Sequence, residues 1–528
     1  MPEGVGEIEF QATDTLGKLW NFRLLSCRSG EPPKPFITGQ WLSFVKGKNV
    51  KVGEVEKYGT PFFFFFLDSS FHLPPFQMAV MRKQLWKFSS DLEKSSNMNV
   101  QILSKKLITP SSPTPSRLRN YKVSWLSMFQ SPLLYLPNIF YYPSSTGGDN
   151  IERSKQLQKS LSEALTIFYP FAGRYVDNNL IIDCNDEGAE YVETQVSGFL
   201  SQLLEGGELE TELRNRLAPI PHRPEDGPIV LVQFNMFECG AVAIGVCIKH
   251  RAADASSVFA FINAWATAAR LGVDEVRTPS FQLASFFPPR DIPTFTPNFG
   301  EKKVEIQKRF VFNSAAMSKL KAVASANING SRQPTRVEVV TALLWKALTM
   351  VARAKHGRLR PSFLVHSFNL RGKTAMSVPD NSCGNFTNPA IARFTADDDE
   401  NKVELHHFVD RVHDGIRKRV TDSAKISSDD DLFSSVVNTK TEMMIEAFHR
   451  SDADFYMFNS WCRMPVYEVD FGWGNPGWFS AVVVPGHNMF HFMDTKDGDG
   501  IEAWVSLEED DMLLFQENPD IKAFTGQE

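Results

Sequence analysis

Residues 241–265, AVAIGVCIKHRAADASSVFAFINAW, pass from an uncharged apolar run into an amphipathic repeat within one short span, and that change of period restricts what the chain can fold into. Ala241 to Ile248 carries no charge and several β-branched residues, the composition of a strand covered on both faces. Lys249, His250 and Arg251 close it. Val258, Phe261, Ile262, Trp265 and Ala269 then recur at three- and four-residue spacing, so a helix is predicted from Ser256, with Ser256 or Ser257 as its N-cap. His250 and Asp254 are thereby predicted at a corner between a buried strand and a helix.

A histidine with an aspartate four positions later also occurs at His222 and Asp226 and at His406 and Asp410, and among 11 histidines chance accounts for some of these. His222 lies in the proline-rich stretch PIPHRPEDGP, which reads as a surface loop. His406 falls in VELHHFVDRVHDGIRKRV, a predicted amphipathic helix with its histidines on the solvated face. Only His250 follows a buried strand. On the residues alone, a hydrogen-bonded histidine at a core edge fits His250 as well as a catalytic base does.

A length of 528 residues suffices for more than one domain with a large core. The net charge of −6 gives no reason to expect a nucleic acid as partner of the whole chain. Cys27, Cys184, Cys239, Cys247, Cys383 and Cys462 are scattered without a Cys-x-x-Cys pair, which argues against a zinc site or a disulfide framework and for a reducing compartment. MPEGVGEIEF lacks the apolar core of a secretory signal, and no uninterrupted apolar run reaches the about 18 residues that span a bilayer. The expectation is a cytoplasmic protein with no metal and no membrane partner, in which the sequons at Asn329 and Asn385 have no meaning.

Residues 1–96 differ in texture from the rest. Residues 19–55 read as short strands and turns, with Trp20 and Phe22, a Gly/Pro turn, then Trp41, Phe44 and Val45. Through Trp-x-Phe-Arg, KPFITGQW and FVKGKNVKVGE this stretch resembles about half of a plant B-three DNA-binding domain, a seven-stranded pseudobarrel. Phe62 to Phe66 and the prolines after it then break any period. Half a barrel leaves open edges, so residues 1–96 are read as a non-functional fragment, partly β or disordered.

From Val100 the chain has the texture of a globular enzyme: a strand at residues 100–108, a helix carrying Leu157, Leu161 and Leu165, a strand-turn-strand in NLIIDCNDEGAEYVETQV, and a hairpin turning at Glu238 to Gly240. The order is irregular, so mixed sheets are expected and not a doubly wound one. Residues 285–303, rich in proline, read as an exposed connection between residues 97–284 and residues 304–528, two α/β lobes. In the second lobe FLVHSFNLR is read as a strand ending at Arg371. The stretch Val469 to Gly477 contains Gly-x-Gly-x-x-Gly but runs through Pro476 into GWFSAVVVP, so no helix opens there to bind a dinucleotide. Gly472 and Gly474 around Trp473 imply a tight turn holding a large ring, and a structural turn is the simpler reading.

YPFAGR at 169–174, HRAAD at 250–254, NLR at 369–371, GNF at 384–386, SWCRMPVYEVDFGWG at 460–474 and DGIEAW at 499–504 together resemble the plant BAHD acyl-CoA-dependent acyltransferases. SSPTP, FECG, RAKHG and SWCR are most similar to the alkaloid- and alcohol-acylating members. The resemblance runs from about residue 100 to the C-terminus. It implies two chloramphenicol-acetyltransferase-like domains joined by a crossover loop around a channel, in a monomer without bound cofactor. The implied substrates are acyl-CoA, with acetyl-CoA favoured, and a small-molecule alcohol. It also implies a catalytic set of His250, as general base, with Asp254 and Asp470. In this reading Asp254 points away from the imidazole and pairs with Arg371, while Gly472, Trp473 and Gly474 support the site. Asn475 stands where the family usually has a basic residue. Two rival classes stay open: a DNA-binding regulator using the N-terminal fragment, and a non-catalytic relative of the acyltransferases.

Overall fold

The computed structural model describes residues 7–13, 19–27, 34–39, 99–144, 149–176, 181–205, 211–221, 227–290, 292, 305–326, 333–395, 403–446, 452–481 and 488–526. The chain divides into two compact units, Met1–Asn99 and Val100–Glu528. In the first, β1 (Glu7–Thr13), β2 (Leu19–Cys27) and β3 (Lys34–Gly39) pair as an antiparallel meander. Trp41, Phe44, Val45 and the Phe62 to Phe66 run lie outside the described residues.

The second unit is built on two six-stranded sheets. The first contains β4 (Val100–Ile108), β5 (Tyr135–Tyr142), β6 (Ala189–Val196), β7 (Val230–Phe237) and β8 (Val242–Lys249). β8 lies between β5 and β7, antiparallel to both, while β6 runs parallel to β7 and antiparallel to β4. Neighbours on both edges and cover on both faces bury every residue of β8, which is why its sequence shows no alternation. Two helices pack on this sheet, α1 (Asn150–Ile167) and α2 (Ala255–Leu271), with the Trp265 indole N–H of α2 donating to the Leu157 carbonyl of α1 at 3.0 Å. The NLIIDCNDEGAEYVETQV stretch is a strand-turn-strand in sequence only. Ile181–Asp183 joins a separate small sheet, whereas Ala189–Val196 joins the large one.

Seven further strands follow: β9 (Glu305–Phe312), β10 (Ser362–His366), β11 (Ala390–Phe394), β12 (Asp454–Ser460), β13 (Trp478–Ala481), β14 (Met489–Asp494) and β15 (Ile501–Glu508). All but β13 form the second sheet, in the order β9-β15-β14-β12-β10-β11. β10, β12 and β14 run parallel and the remaining pairings are antiparallel, so both sheets are mixed. β13 instead crosses over and pairs antiparallel with β5, making the first sheet draw on both ends of the unit. β10 ends at His366, so Arg371 lies beyond the strand and not at its end. Pleating divides this sheet's faces. Phe490, Phe492, Ala503 and Val505 enter the second core with α3 (Arg336–His356) and α4 (Leu405–Ser423), while Met493 and Trp504 point the other way into the first. α5 (Asp429–Met444) follows α4. Of the connection expected at 285–303, residues 291 and 293–303 lie outside the described residues, as do His222 and Asp226. His406 lies on α4 as expected, part-buried rather than solvated, and His413 of the same helix bonds Glu338 at 2.8 Å. Among the described residues no helix is long and apolar enough to cross a membrane.

Among the described residues, both cores of Val100–Glu528 are assembled from that unit's own side chains. A chain starting at residue 97 is therefore expected to unfold cooperatively at the temperature of the full-length protein. Loss of folded protein on this truncation, followed by circular dichroism, would show that the first unit is needed by the second.

Candidate active site

The corner predicted around His250 is present, with a different cap. β8 ends at Lys249, the His250 backbone N–H donates to the Leu134 carbonyl at 2.8 Å, and α2 starts at Ala255. The N-cap is Asp254, whose Oδ1 accepts from the Ser257 N–H at 3.0 Å, and neither Ser256 nor Ser257 fills that place. The carboxylate outcompetes the hydroxyls because it meets the open helix N–H groups as a charge.

His250 Nδ1 lies 3.1 Å from the Ala253 carbonyl. A carbonyl only accepts, so this contact assigns the proton to Nδ1 and leaves the Nε2 lone pair free. Burial pushes the imidazole pKa below its ordinary value of 6.5, and the nearby Lys440 charge acts in the same direction, against the smaller opposing pull of the carbonyls and Asp254. Near neutral pH the ring is neutral, the form able to accept a proton.

Asp254 faces away from that ring. Its Oδ2 accepts from Arg371 Nη1 at 2.7 Å and its Oδ1 from Nη2 at 3.2 Å, a two-pronged pair with side chains only 5% and 7% exposed. Burial alone would raise the Asp254 pKa, but the Arg371 guanidinium and the N–H groups of Phe386 and Ser257 outweigh it and hold the carboxyl below its ordinary range. The guanidinium also donates to the carbonyls of Ser382 and Gly384 at 2.9 Å each and to Asn369 Oδ1 at 3.1 Å. A buried pair this fully bonded is where arginine's planar fork exceeds what lysine can do.

Sequence reasoning passed over the residues that bind this corner from the other side. Asn385 Nδ2 donates to the His250 carbonyl at 2.8 Å and to Ser127 Oγ at 3.2 Å, and the Phe386 N–H donates to Asp254 Oδ2 at 3.1 Å. Gly384, with φ of +126°, carries its carbonyl to Arg371, and an added Cβ would stand 3.0 Å from Leu283. The GNF triplet was the available signal, visible only as a motif, because what it touches lies far away in sequence. Asn385 is 1% exposed, so its sequon is structural.

Asp470 is placed elsewhere. Its Oδ1 accepts from the N–H groups of Gly472 and Gly474 at 2.8 and 2.9 Å, and its Oδ2 meets Arg270 Nη1 at 3.3 Å. Arg270 is near the C-terminal end of α2 and Asp254 caps the other end, about 24 Å away at the helical rise per residue. That exceeds any side chain, so Asp470 holds the turn and does not reach the His250 ring, against the catalytic role expected for it. Gly472 and Gly474 have φ of +106° and +103°, so the turn needs glycine at both. Phe471 meets Trp265 edge-on at 4.8 Å, and Trp473 stacks on Phe471 under the Arg153 guanidinium. Asn475 is exposed beside this turn.

The family model described as Transferase family matches residues 98–521. The chain is 33% identical over 443 residues to acetyl-CoA-benzylalcohol acetyltransferase of Clarkia breweri, covering 81% of this chain and 100% of that protein. It is 32% identical to vinorine synthase in a crystal structure that it matches with a TM-score of 0.69, covering 81% and 98%. F. sporotrichioides TRI101 complexed with coenzyme A and T-2 shares the fold at 18% identity and a TM-score of 0.60, covering 77% and 98%. The family match begins at residue 98 and gives no support to the B-three resemblance or to the DNA-binding reading that rests on it.

Replacing Asp254 by Ala should strand the buried Arg371 charge and cost about 3–5 kcal/mol, seen as a lower midpoint in chemical denaturation. Because the folded carboxyl titrates below its unfolded value of about 3.9, this contribution is complete above that pH and is lost as pH falls through the lower folded value. An unchanged midpoint for Asp254→Ala at neutral pH would rule out a stabilising pair.

Proposed function

The chain belongs to the BAHD-type Transferase family whose model it matches, and from that membership we propose that it moves an acyl group from acyl-CoA to a hydroxyl of a small plant metabolite, with His250 as general base. The observation that carries the reading is the free Nε2 of a neutral, part-buried His250 at the end of β8. Nε2 accepts the proton of the acceptor hydroxyl as that oxygen attacks the thioester carbonyl. The tetrahedral intermediate then expels the coenzyme A thiolate, which takes the same proton back from Nε2. Each proton and electron pair is accounted for without an acyl-enzyme.

In this reading the two lobes, residues 97–284 and 304–528, flank a channel that admits acyl-CoA from one side and the alcohol from the other. Arg371 and Asp254 act as positioning residues, keeping the corner carrying His250 in register with the second lobe. Support for acyl-CoA comes from the coenzyme A complex among the structures sharing the fold, and for an acetyl donor with an alcohol acceptor from the Clarkia breweri relative's name. A monomer acting in the cytoplasm is the simplest setting.

His250→Ala should lower turnover by about 10²- to 10⁴-fold while leaving the thermal midpoint in place. The readout is free thiol release from acetyl-CoA with a pool of alcohols, confirmed by product mass, and undiminished release in the variant would remove His250 from the mechanism. The pH profile tests the same assignment. An imidazolium cannot accept a proton, so kcat/KM should fall on the acid side, with its midpoint below 6.5 because burial lowers the His250 pKa from that value. A profile flat through this range would contradict a histidine base.

A further inference from the structure

Phe433, Val436 and Lys440 recur at three and four residues and form one stripe of α5. Phe433 and Val436 pack into an apolar cluster with Trp125 and Leu126, the Phe433 ring meeting Trp125 edge-on at 5.1 Å. The next position on the stripe is an ammonium. Lys440 Nζ stands 5.7 Å from the centroid of Phe129, which in turn meets Trp125 edge-on at 6.2 Å. The side chain is part-buried, and burial pushes its pKa down to about 8.

No carboxylate among the described residues pairs with it. The acids of its own helix are engaged elsewhere: Asp429 and Asp430 with Arg290, the Asp431 carboxylate with the N–H and hydroxyl of Ser427, and Glu442 with Arg393. A ring face offsets only part of the cost of removing an ammonium from water. The surroundings also place it at the catalytic corner. Phe129 ends the short helix Trp125–Phe129, whose Ser127 accepts from the Asn385 amide that also holds the His250 carbonyl. The next residue, Gln130, accepts from Arg251 Nε at 3.0 Å.

We propose that Lys440 is a specificity-determining residue that binds a carboxylate carried by one of the two substrates close to the reacting hydroxyl or thioester. This rests on the acyl-transfer reading above and names a substrate class for it: a hydroxy acid as acceptor, or the half-thioester of a dicarboxylic acid as donor. The coenzyme A phosphates are not the partner, because a whole pantetheine arm separates them from the thioester. The carboxylate completes the ion pair that the fold leaves open and fixes the substrate's orientation at His250.

The test crosses two donors, acetyl-CoA and malonyl-CoA, with two acceptors, benzyl alcohol and 4-(hydroxymethyl)benzoate, for the wild-type protein, Lys440→Met and Lys440→Arg. Methionine continues the apolar stripe of α5, so the fold should be retained. The wild type should prefer the carboxylate in one arm, the acceptor arm identifying a hydroxy acid and the donor arm a dicarboxylic acyl group. Lys440→Met should lower that preference, expressed as a ratio of kcat/KM values, by about 10- to 100-fold, and Lys440→Arg should keep most of it. Equal ratios in the wild type and Lys440→Met would overturn the proposal while leaving acyl transfer standing. If no pair is turned over at all and the alcohol pool gives no thiol release either, the acyl-transfer reading fails. Calorimetric binding of the same four compounds then decides on Lys440, with tighter binding of a carboxylate compound that weakens in Lys440→Met supporting it and equal binding overturning it.

Discussion

The buried pair between Asp254 and Arg371 is the constraint on which the rest of the second unit depends. It joins positions 117 apart in the chain, the first capping α2 and the second in the turn beyond β10. Burying two charges is costly, and a pair of this kind is maintained only where each remaining donor and acceptor is also met. Here the surrounding carbonyls and N–H groups meet them. Such a pair tolerates very few arrangements, because a small shift leaves a charge without its partner in a medium that solvates it poorly. Its contribution is to geometry: the corner carrying His250 has one low-energy position against the second half of the chain.

α2 extends that constraint through the molecule. Its N-terminal end is fixed by Asp254, and at its other end Arg270 meets Asp470 in the turn built on Gly472 and Gly474. The second contact is weaker. Arg270 is 49% exposed, where water and salt screen the attraction, and the turn is secured instead by Phe471 and Trp473 packing on the aromatic residues of the first core. The helix therefore works as a strut held at both ends by segments that follow β10 in sequence. The two aspartates of similar sequence prominence, Asp254 and Asp470, are separated by its length and serve its two ends.

How much of this was legible in the sequence follows the range of the interactions. β8 and α2 were readable because their periods are local, and the shift from one period to the other located His250 within a residue. The cap is ambiguous in sequence because Ser256 and Ser257 satisfy the same local rule as Asp254, and the charge of the carboxylate toward the helix N–H groups, held in place by Arg371, decides between them. The strand before Arg371 reads too long because Phe368 and Leu370 keep a strand-like alternation, and beyond His366 the backbone pairs only through an isolated bridge of Asn369 with Thr387 outside the sheet. The pairing of Asp254 with Arg371 was implied by the family resemblance and by nothing in the spacing. Lys440 drew no notice at all, since a lysine on a helix is ordinary until the ring beneath it and the missing carboxylate are both in view.

The crossing of β13 onto the edge of β5 has a bearing on how the chain is made. β5 leaves the ribosome early, at residues 135–142, whereas the strand that covers its edge comes at residues 478–481. During synthesis the first sheet therefore carries an open edge, with Phe140 and Tyr141 along it, until most of the chain has emerged. An edge of that kind recruits whatever strand is nearest, including the same strand on a neighbouring nascent chain. Until Trp478–Ala481 is synthesised, that edge is where nascent copies of this chain are open to mispairing.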